Sequence, residues 1–224
     1  MRCIRIGYGK IASIHEQAFS RLNVETIGVF DSNPSRTDEI LQAGFLPLYT
    51  LEEAIAMEPH FFDICTSTQA HAQVLQAIST LNPYANILIE KPICDFEDIA
   101  RVNAVLAGHK GHIIVNENYC SSEITRAVKD KLLELAIQPT RVVIEMTKHR
   151  GQDYQKGRFV DSALGALGYE GSHLLALAGE LGEAYVNGVL MEVDIDSIHL
   201  TSAPEDTSEH APNPLQDNLV CLTH

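Results

Sequence analysis

The stretch RCIRIGYGKIASIHEQAF, residues 2–19, decides how the chain begins to fold. Its first five residues are mostly apolar and predict a short strand, which runs into a turn that contains two glycines. The turn leads into apolar residues spaced three or four positions apart, and this spacing predicts a helix with one buried face. The residues of that predicted face are Ile11, Ile14, Ala18, Phe19 and Leu22.

The turn matches the pattern Gly-x-Gly-x-x-Ala through Gly7, Gly9 and Ala12. The first glycine permits a tight turn, the second lets a pyrophosphate approach the backbone, and the small third residue lets the helix pack closely on the strand. The helix that follows presents free N–H groups to phosphates, so Lys10 and Ile11 are further candidate cofactor residues. A glycine pattern alone also fits a plain turn with a helix cap, but its place between a strand and a helix favours a dinucleotide site.

Asp31 follows the second predicted strand, residues 26–30, at the position where an acid binds the ribose hydroxyls of NAD. A carboxylate there favours NAD over NADP, because it repels a 2′-phosphate. Ser32 and Arg36 keep NADP open, since both side chains can hold such a phosphate.

Predicted strands and helices alternate to about residue 118, which predicts an α/β fold with a doubly wound parallel sheet, the Rossmann architecture. Beyond that point the pattern changes to longer strands with partial alternation, glycine-rich helical segments and a proline-containing loop. We therefore predict a dinucleotide-binding domain at residues 1–118. Residues 119–224 are predicted to form a second, α+β domain with a partial, mostly antiparallel sheet.

Two further polar segments follow predicted strands, at the sheet edge where ligands bind in such folds. Thr66, Ser67 and Thr68 form the first, and they also suit the start of a helix. The second contains Glu90 and Lys91. Lys91 can stabilise a developing alkoxide and pass a proton, although a surface ion pair before a turn fits the spacing equally well.

Histidines and cysteines form no cluster with metal-ligand spacing, so no metal site is predicted. His173 lies in an apolar helical segment, where a lone histidine is more often a core residue. The five cysteines are scattered without a C-x-x-C pair, which is typical of free thiols in a reducing cytoplasm.

The composition is that of a soluble globular protein, with 45% hydrophobic and 21% charged residues among 224. A net charge of −14 disfavours nucleic acids and anionic membranes as partners, because both repel an acidic surface. No signal peptide and no apolar run long enough to span a membrane is recognised. The expected partner is a small-molecule substrate, and the expected location is the cytoplasm.

Several separated stretches resemble the glucose–fructose oxidoreductase / inositol dehydrogenase (Gfo/Idh/MocA) family, over about residues 4–180. The Glu-Lys-Pro segment is the most specific, given its distance from the glycine turn. In chain order the stretches are IGYGKIASIH, FDICTSTQAHAQVLQAI, ILIEKPI, VNENY and GALGYEGSHLLAL.

The resemblance implies NAD(P)-dependent hydride transfer at a secondary alcohol or ketone, commonly of a sugar or cyclitol. It also implies that Lys91 is the catalytic lysine and His173 the active-site histidine. His71 and Glu90 would lie near the cofactor. Asn118 would lie at the nicotinamide and at the hinge between the domains.

Three departures from the family pattern keep alternatives open. Tyr169 and Ala176 stand where the family often has aspartates, which gives Tyr169 a possible hydrogen-bonding role in catalysis. The chain is also shorter than is usual in the family, as expected of a short or C-terminally truncated member. Its partial second sheet would leave an exposed edge and favour a dimer or tetramer. The alternatives are a cofactor-binding sensor or assembly protein that has lost catalysis, and a reductase of an imine or conjugated double bond.

Overall fold

A computed structural model of the chain describes residues 1–137, 143–146, 171–183, 197–202 and 218–223. The chain divides into two compact units, Met1–Asn116 and Glu117–His224. The domain boundary predicted from the sequence, between residues 118 and 119, lies two residues further along.

The first unit alternates strands and helices throughout. Two short 3-10 turns, Pro34–Arg36 and Phe96–Asp98, precede its second and fifth helices. In chain order the elements are β1 (Arg2–Ile6), α1 (Lys10–Arg21), β2 (Glu25–Phe30), α2 (Thr37–Gln42), β3 (Pro47–Leu48), α3 (Leu51–Ala56), β4 (Phe61–Ile64), α4 (Thr68–Leu81), β5 (Ile87–Glu90), α5 (Ile99–Gly108) and β6 (Ile113–Asn116).

The six strands form one sheet in the order β3-β2-β1-β4-β5-β6, and every neighbouring pair is parallel. Strands β2 and β3 extend the sheet on one side of β1, and strands β4, β5 and β6 extend it on the other side. The predicted doubly wound Rossmann sheet is therefore confirmed. Its switch point lies between β1 and β4, where the carboxyl ends of the strands open a crevice for ligands.

One face of the sheet is an apolar core. Side chains alternate along a strand, so Ile4 and Ile6 of β1 point to the same face as Phe62 and Ile64 of β4. Helices α3, α4 and α5 cover this face, and Leu75 of α4 is fully buried there.

The opposite face of the sheet carries buried charges, and α1 packs on it with a different face from the one that its apolar spacing predicts. Arg5 of β1 and Asp63 of β4 are register partners, and both are fully buried. The buried residues of α1 are Ala12, His15 and Phe19, whereas Ile14 is 51% and Leu22 is 70% exposed. Of the apolar face predicted for this helix, Phe19 is confirmed as buried, whereas the prediction was wrong for Ile14, Ala18 and Leu22. A buried ion pair needs further polar partners, and the helix supplies them by turning His15 inward.

The second unit contains α6 (Glu123–Leu135), β7 (Val143–Met146), α7 (Ser172–Glu183), β8 (Ser197–Ser202) and β9 (Asn218–Thr223). The three strands pair antiparallel in the order β7-β9-β8. The full α+β architecture of the second domain stays a prediction, because much of it lies outside the described residues. Among the helices that the structure describes, none has the length and apolarity needed to cross a bilayer.

Leu75→Ala tests the packing of the apolar face. Removing a fully buried leucine leaves a cavity and is expected to lower the free energy of unfolding by about 2–5 kcal/mol. The matched control is Leu81→Ala on the same helix, where the side chain is exposed and the expected change is within about 0.5 kcal/mol. Urea unfolding followed by circular dichroism measures both. Equal changes in the two variants would contradict the described core.

Candidate functional site

The glycine turn lies at the carboxyl end of β1, beside the crevice. Gly7 has a φ of +93°, and its N–H donates to the carbonyl oxygen of Phe30 at 2.7 Å. A Cβ atom at Gly7 would lie 2.9 Å from the carbonyl carbon of Cys65 and from the backbone nitrogen of Thr66. Glycine is thus required twice here, for the backbone conformation and for the close approach of two loops.

Gly9 has a different role, because a side chain there would meet nothing within 4 Å. Gly9 is the N-cap of the twelve-residue helix α1, and no side chain caps that helix. Lys10 and Ile11 are its first two residues. The first N–H groups of α1 therefore face an open cradle, which fits a pyrophosphate group.

Asp31 ties the glycine turn to the end of β2. Its Oδ2 accepts a hydrogen bond from the backbone N–H of Tyr8 at 2.7 Å, and its Oδ1 accepts one from the N–H of Asn33 at 2.8 Å. A carboxylate oxygen has more than one acceptor position, so both atoms can still accept from a ribose hydroxyl. Ser32 is exposed next to it. The Arg36 guanidinium is paired with Glu39, so a 2′-phosphate would have to compete for it.

The segment of Thr66, Ser67 and Thr68 joins β4 to α4 on the same edge. Ser67 is the N-cap of α4, and its side chain makes no capping hydrogen bond. Thr66 Oγ1 is buried and has no hydrogen-bond partner among the described residues. A buried hydroxyl without a partner is costly, and its place against Gly7 is consistent with a polar ligand at this edge.

His71 of α4 links this segment to the Glu-Lys-Pro turn. Its Nδ1 lies 2.7 Å from the carbonyl oxygen of Pro92, and its Nε2 lies 3.1 Å from that of Thr66. Burial lowers the pKa of His71, although both carbonyl contacts oppose this effect. The imidazole is therefore neutral, and its shorter contact indicates that Nδ1 carries the proton. The hydrogen bond from Nδ1–H to the carbonyl oxygen of Pro92 ties α4 to the Glu-Lys-Pro turn.

A chain of charged side chains lies under the same edge. Arg5 Nε donates to Asp63 Oδ2 at 2.9 Å, His15 Nδ1 to Asp63 Oδ1 at 2.8 Å, and His15 Nε2 to Glu90 Oε1 at 2.8 Å. Arg5 Nη1 also binds Glu16 Oε2 at 2.8 Å. Glu90 is the last residue of β5 and directly precedes Lys91.

The charge states of this chain follow from its contacts. Burial lowers the pKa of His15, but hydrogen bonds to Asp63, Cys65 and Glu90 outweigh it and raise the pKa to about 12. Burial raises the pKa of Glu90, but hydrogen bonds from His15 and Asn116 reverse this and leave it below its ordinary value. At neutral pH, His15 is an imidazolium and Glu90 a carboxylate.

One group of side chains in the described part of the chain is compact enough to be considered for a metal ion. The possible ligand atoms of His15, Asp63 and Cys65 lie within 4.8 Å of one another. An imidazolium has no lone pair for a metal, and Asp63 already binds Arg5 and His15. Burial raises the pKa of Cys65 to about 11, so its thiol is protonated. The cluster is therefore a hydrogen-bonded network.

In the second unit, His173 is buried near the start of α7, and its Nδ1 is hydrogen-bonded to Glu117 Oε1. The Tyr119 ring meets the imidazole edge-on, with the ring centroids 4.6 Å apart. Asn118, which lies between Glu117 and Tyr119 in the sequence, is exposed. Tyr169 lies outside the described residues.

Sequence reasoning singled out neither His15 nor Glu117, the residues at the centre of these two arrangements. Each contacts a partner that is far away in sequence, and neither has a motif of its own. A histidine between Ala12 and Phe19, on the face that packs on the sheet, was the one available signal for His15.

Residues 1–117 match the model of the Gfo/Idh/MocA family, which is described as an oxidoreductase family with an NAD-binding Rossmann fold. The chain belongs to this family. A comparison with curated proteins finds no match.

Solved structures with the same fold include three dehydrogenases or oxidoreductases. The chain is similar to the WlbA dehydrogenase of Chromobacterium violaceum, solved with NADH and UDP-GlcNAcA, with 19% identity, a TM-score of 0.67 and coverage of 81% of this chain and 55% of that one. The scyllo-inositol dehydrogenase of Lactobacillus casei, solved with NAD(H) and scyllo-inositol, is 14% identical with a TM-score of 0.66, and the match covers 84% of this chain and 56% of that one. A putative NADPH-dependent oxidoreductase of Desulfitobacterium hafniense is 16% identical with a TM-score of 0.73, and the match covers 100% of this chain and 62% of that one. The chain thus spans little more than half the length of these proteins, and at such identities the likeness shows the fold alone.

Gly9→Ala is expected to weaken NADH binding without unfolding the domain. The added methyl group enters the open cradle, and losing one charge-assisted hydrogen bond of about 1.5–3 kcal/mol weakens binding at least about tenfold. Calorimetric titration with NADH measures the affinity, and thermal unfolding should change little.

Two further glycines give matched controls for that experiment. Gly7→Ala should lower both binding and stability, because its Cβ meets backbone atoms. Gly44→Ala shares the positive φ, at +86°, but meets nothing within 4 Å, so it should leave binding unchanged. Unaltered NADH affinity in Gly9→Ala would contradict the assignment of the cradle.

His15→Gln tests the charge of the buried histidine through the pH dependence of stability. The pKa of His15 lies at about 12 in the folded protein, above its ordinary value of 6.5. Its stabilising effect is therefore complete below about pH 6.5 and decreases at higher pH by at most about 1.4 kcal/mol per pH unit. The difference in unfolding free energy between wild type and variant should shrink from pH 7 to pH 9 in urea titrations. A difference that stays constant over this range would mean that His15 is neutral in the folded protein.

Proposed function

We propose that the chain is an NAD-dependent oxidoreductase that transfers a hydride at a secondary alcohol or ketone of a small polar molecule. A sugar, a cyclitol or a sugar derivative is the proposed substrate. The observation that carries the proposal is the shared location of two features. The open cradle at Gly9 and the Glu90–Lys91 pair follow strands of one parallel sheet, at its carboxyl edge.

The cofactor half of the proposal rests on the residues around the glycine turn. Gly7 and Gly9 would let the pyrophosphate approach, with Lys10 and Ile11 at the helix start. Asp31 would accept from the ribose hydroxyls, and Thr66 Oγ1 offers a further polar contact. NAD is favoured over NADP because Asp31 is acidic and Arg36 is engaged by Glu39. When bound, the nicotinamide ring supplies or accepts the hydride.

Lys91 is the proposed acid–base group. In ketone reduction its ammonium would stabilise the negative charge that develops on the substrate oxygen and would donate a proton to it. In alcohol oxidation the same nitrogen would take the hydroxyl proton. Its attachment to Glu90, the last residue of a strand that is paired on both sides, supports precise placement of the side chain.

His173 is the second proposed catalytic residue, and its contact with Glu117 supports this. A carboxylate that accepts from Nδ1–H leaves Nε2 as the nitrogen able to exchange a proton. The family often places aspartates where this chain has Tyr169 and Ala176, and Glu117 offers a carboxylate from a different segment. An oriented histidine favours an enzyme over a sensor that has lost catalysis. Asn118 stays a proposed cofactor contact, and Tyr169 a proposed substrate contact.

The substrate class is proposed from the family and from the ligands of the solved relatives. Those ligands, scyllo-inositol and UDP-GlcNAcA, are both polyhydroxylated ring compounds. Residues 119–224 would supply the substrate-binding domain, as a second α+β unit.

Lys91→Ala tests the proposed chemistry. Turnover should fall by about 10²–10⁴-fold, because a positioned acid–base group contributes that much, while NADH binding stays nearly intact. Reduction of NAD by a panel of inositols and sugars, followed at 340 nm, measures turnover, and calorimetry measures binding. Lys110→Ala is the control, since that lysine is exposed and lies against Tyr84.

Two results would contradict the proposal in different ways. Loss of NADH binding in Lys91→Ala would mean that Lys91 serves the cofactor site and not proton transfer. A wild-type protein that binds NADH but turns over no alcohol or ketone would favour the sensor instead.

A further inference from the structure

We propose that His15 is a positioning residue of the catalytic site: as a permanent imidazolium it bridges Asp63 and Glu90 and holds Glu90 as an oriented carboxylate beside Lys91. The inference rests on the proposed function for its catalytic consequence. Its structural part, the charged bridge, stands on the geometry of the first unit alone.

The first step is the hydrogen bonding of the imidazole ring. Its two nitrogens lie 2.8 Å from oxygens of two different carboxylates, those of Asp63 and Glu90. An ionised carboxylate only accepts hydrogen bonds, so both nitrogens must donate. A neutral imidazole has one N–H and would leave one of these buried contacts as a repulsion between lone pairs.

The second step is burial, which makes the bridge hard to replace with water. His15 is 5% exposed and Asp63 is fully buried. The second oxygen of Asp63 accepts from Arg5, whose side chain is also fully buried. The hydrogen bond to Asp63 is the largest of the contacts that raise the pKa of His15 and favour its charged form.

The third step is charge balance. The described network contains three carboxylates, those of Glu16, Asp63 and Glu90, and two cations, Arg5 and His15. The network therefore carries one net negative charge, and its two ends are the carboxylates of Glu16 and Glu90. The charge of Lys91 is among the causes that lower the pKa of Glu90, and this attraction acts equally on the lysine.

The consequence concerns proton transfer at Lys91. Glu90 Oε1 accepts from both His15 and Asn116, and these bonds orient its carboxylate. Without the imidazolium, Glu90 would keep its burial but lose a cationic partner, and it would take up a proton more readily. Lys91 would then lose a fixed negative neighbour, although Lys91 itself is unchanged.

The pH dependence of the bridge follows from the titratable and polar groups that surround it among the described residues. Cys65 is a thiol at neutral pH, because burial raises its pKa to about 11. Glu90 is thus the group expected to titrate when His15 is removed. The groups around the bridge are Asp63 on β4, Cys65 directly after β4, Glu90 on β5, Lys91 directly after β5, Asn116 on β6, Arg5 on β1, and Glu16 on α1.

The first arm of the test is spectroscopic and needs no substrate. Imidazole ¹⁵N resonances of the full chain, labelled on histidine, are recorded from pH 6 to pH 9 and assigned by comparison with His15→Gln. We expect one histidine side chain to show two protonated nitrogens throughout. Histidine added to the sample as the free amino acid titrates over the same pH range and serves as the reference. A His15 signal with one protonated nitrogen at pH 8 would overturn the proposal.

The second arm is kinetic and separates positioning from folding. His15→Gln should lower kcat about tenfold or more, as loss of a residue that orients an active group commonly does, with NADH affinity changed less than twofold. Activity of the variant should rise as pH increases from 6 to 8, because Glu90 must lose a proton. Gln17→Ala, exposed on the same helix, is the control for changes to α1.

A double variant decides whether His15 acts through Glu90. If it does, His15→Gln combined with Glu90→Gln should be no slower than Glu90→Gln alone, and the new pH dependence should vanish. A rate that falls in parallel with thermal stability, with the wild-type pH profile retained, would reduce His15 to a structural residue and overturn the catalytic part. If the wild type bound NADH and showed the imidazolium signature but had no turnover, the proposed function would fail while the bridge stood.

Discussion

The structure of the first unit depends on the ion chain Arg5–Asp63–His15–Glu90. Moving a single charge into a protein interior costs several kcal/mol, and that cost is offset by partners of opposite charge at hydrogen-bonding distance. Here each cation lies against carboxylates, and each carboxylate of the chain accepts from a cation. The chain joins β1, β4, β5 and α1, so it forms only when the strands are in their final order.

This interaction also determines how α1 meets the sheet. An apolar helix face would have placed Ile14 inward, but the buried Arg5–Asp63 pair selects His15 and Glu16 as its neighbours. The rotation follows from electrostatics, because an unpaired charge at this depth is more unfavourable than two exposed apolar side chains. With the helix so fixed, Gly9 stands open at its start and its first N–H groups face the crevice.

The ligand edge is a product of parallel topology. The segments after β1, β2, β4 and β5 begin at the same edge because all of these strands run in one direction. Their connections hold each other in place: Asp31 binds the N–H of Tyr8, and His71 of α4 donates to the carbonyl oxygen of Pro92. A rigid edge with an open cradle suits a bound dinucleotide, and a charged network beneath it suits proton transfer.

The sequence by itself determined the Rossmann sheet, the glycine turn, and the positions of Asp31 and Lys91 directly after strands of that sheet. These depend on local patterns: strand and helix periodicity, the conformational freedom of glycine, and the fact that parallel strands end at one edge. Only the tertiary structure decided that His15 is buried and charged, that Glu90 is its partner, and that Glu117 orients His173. The reason is that a side chain's charge depends on groups brought near it by folding. Those groups lie 48, 75 and 56 residues away along the chain, where no local pattern predicts them.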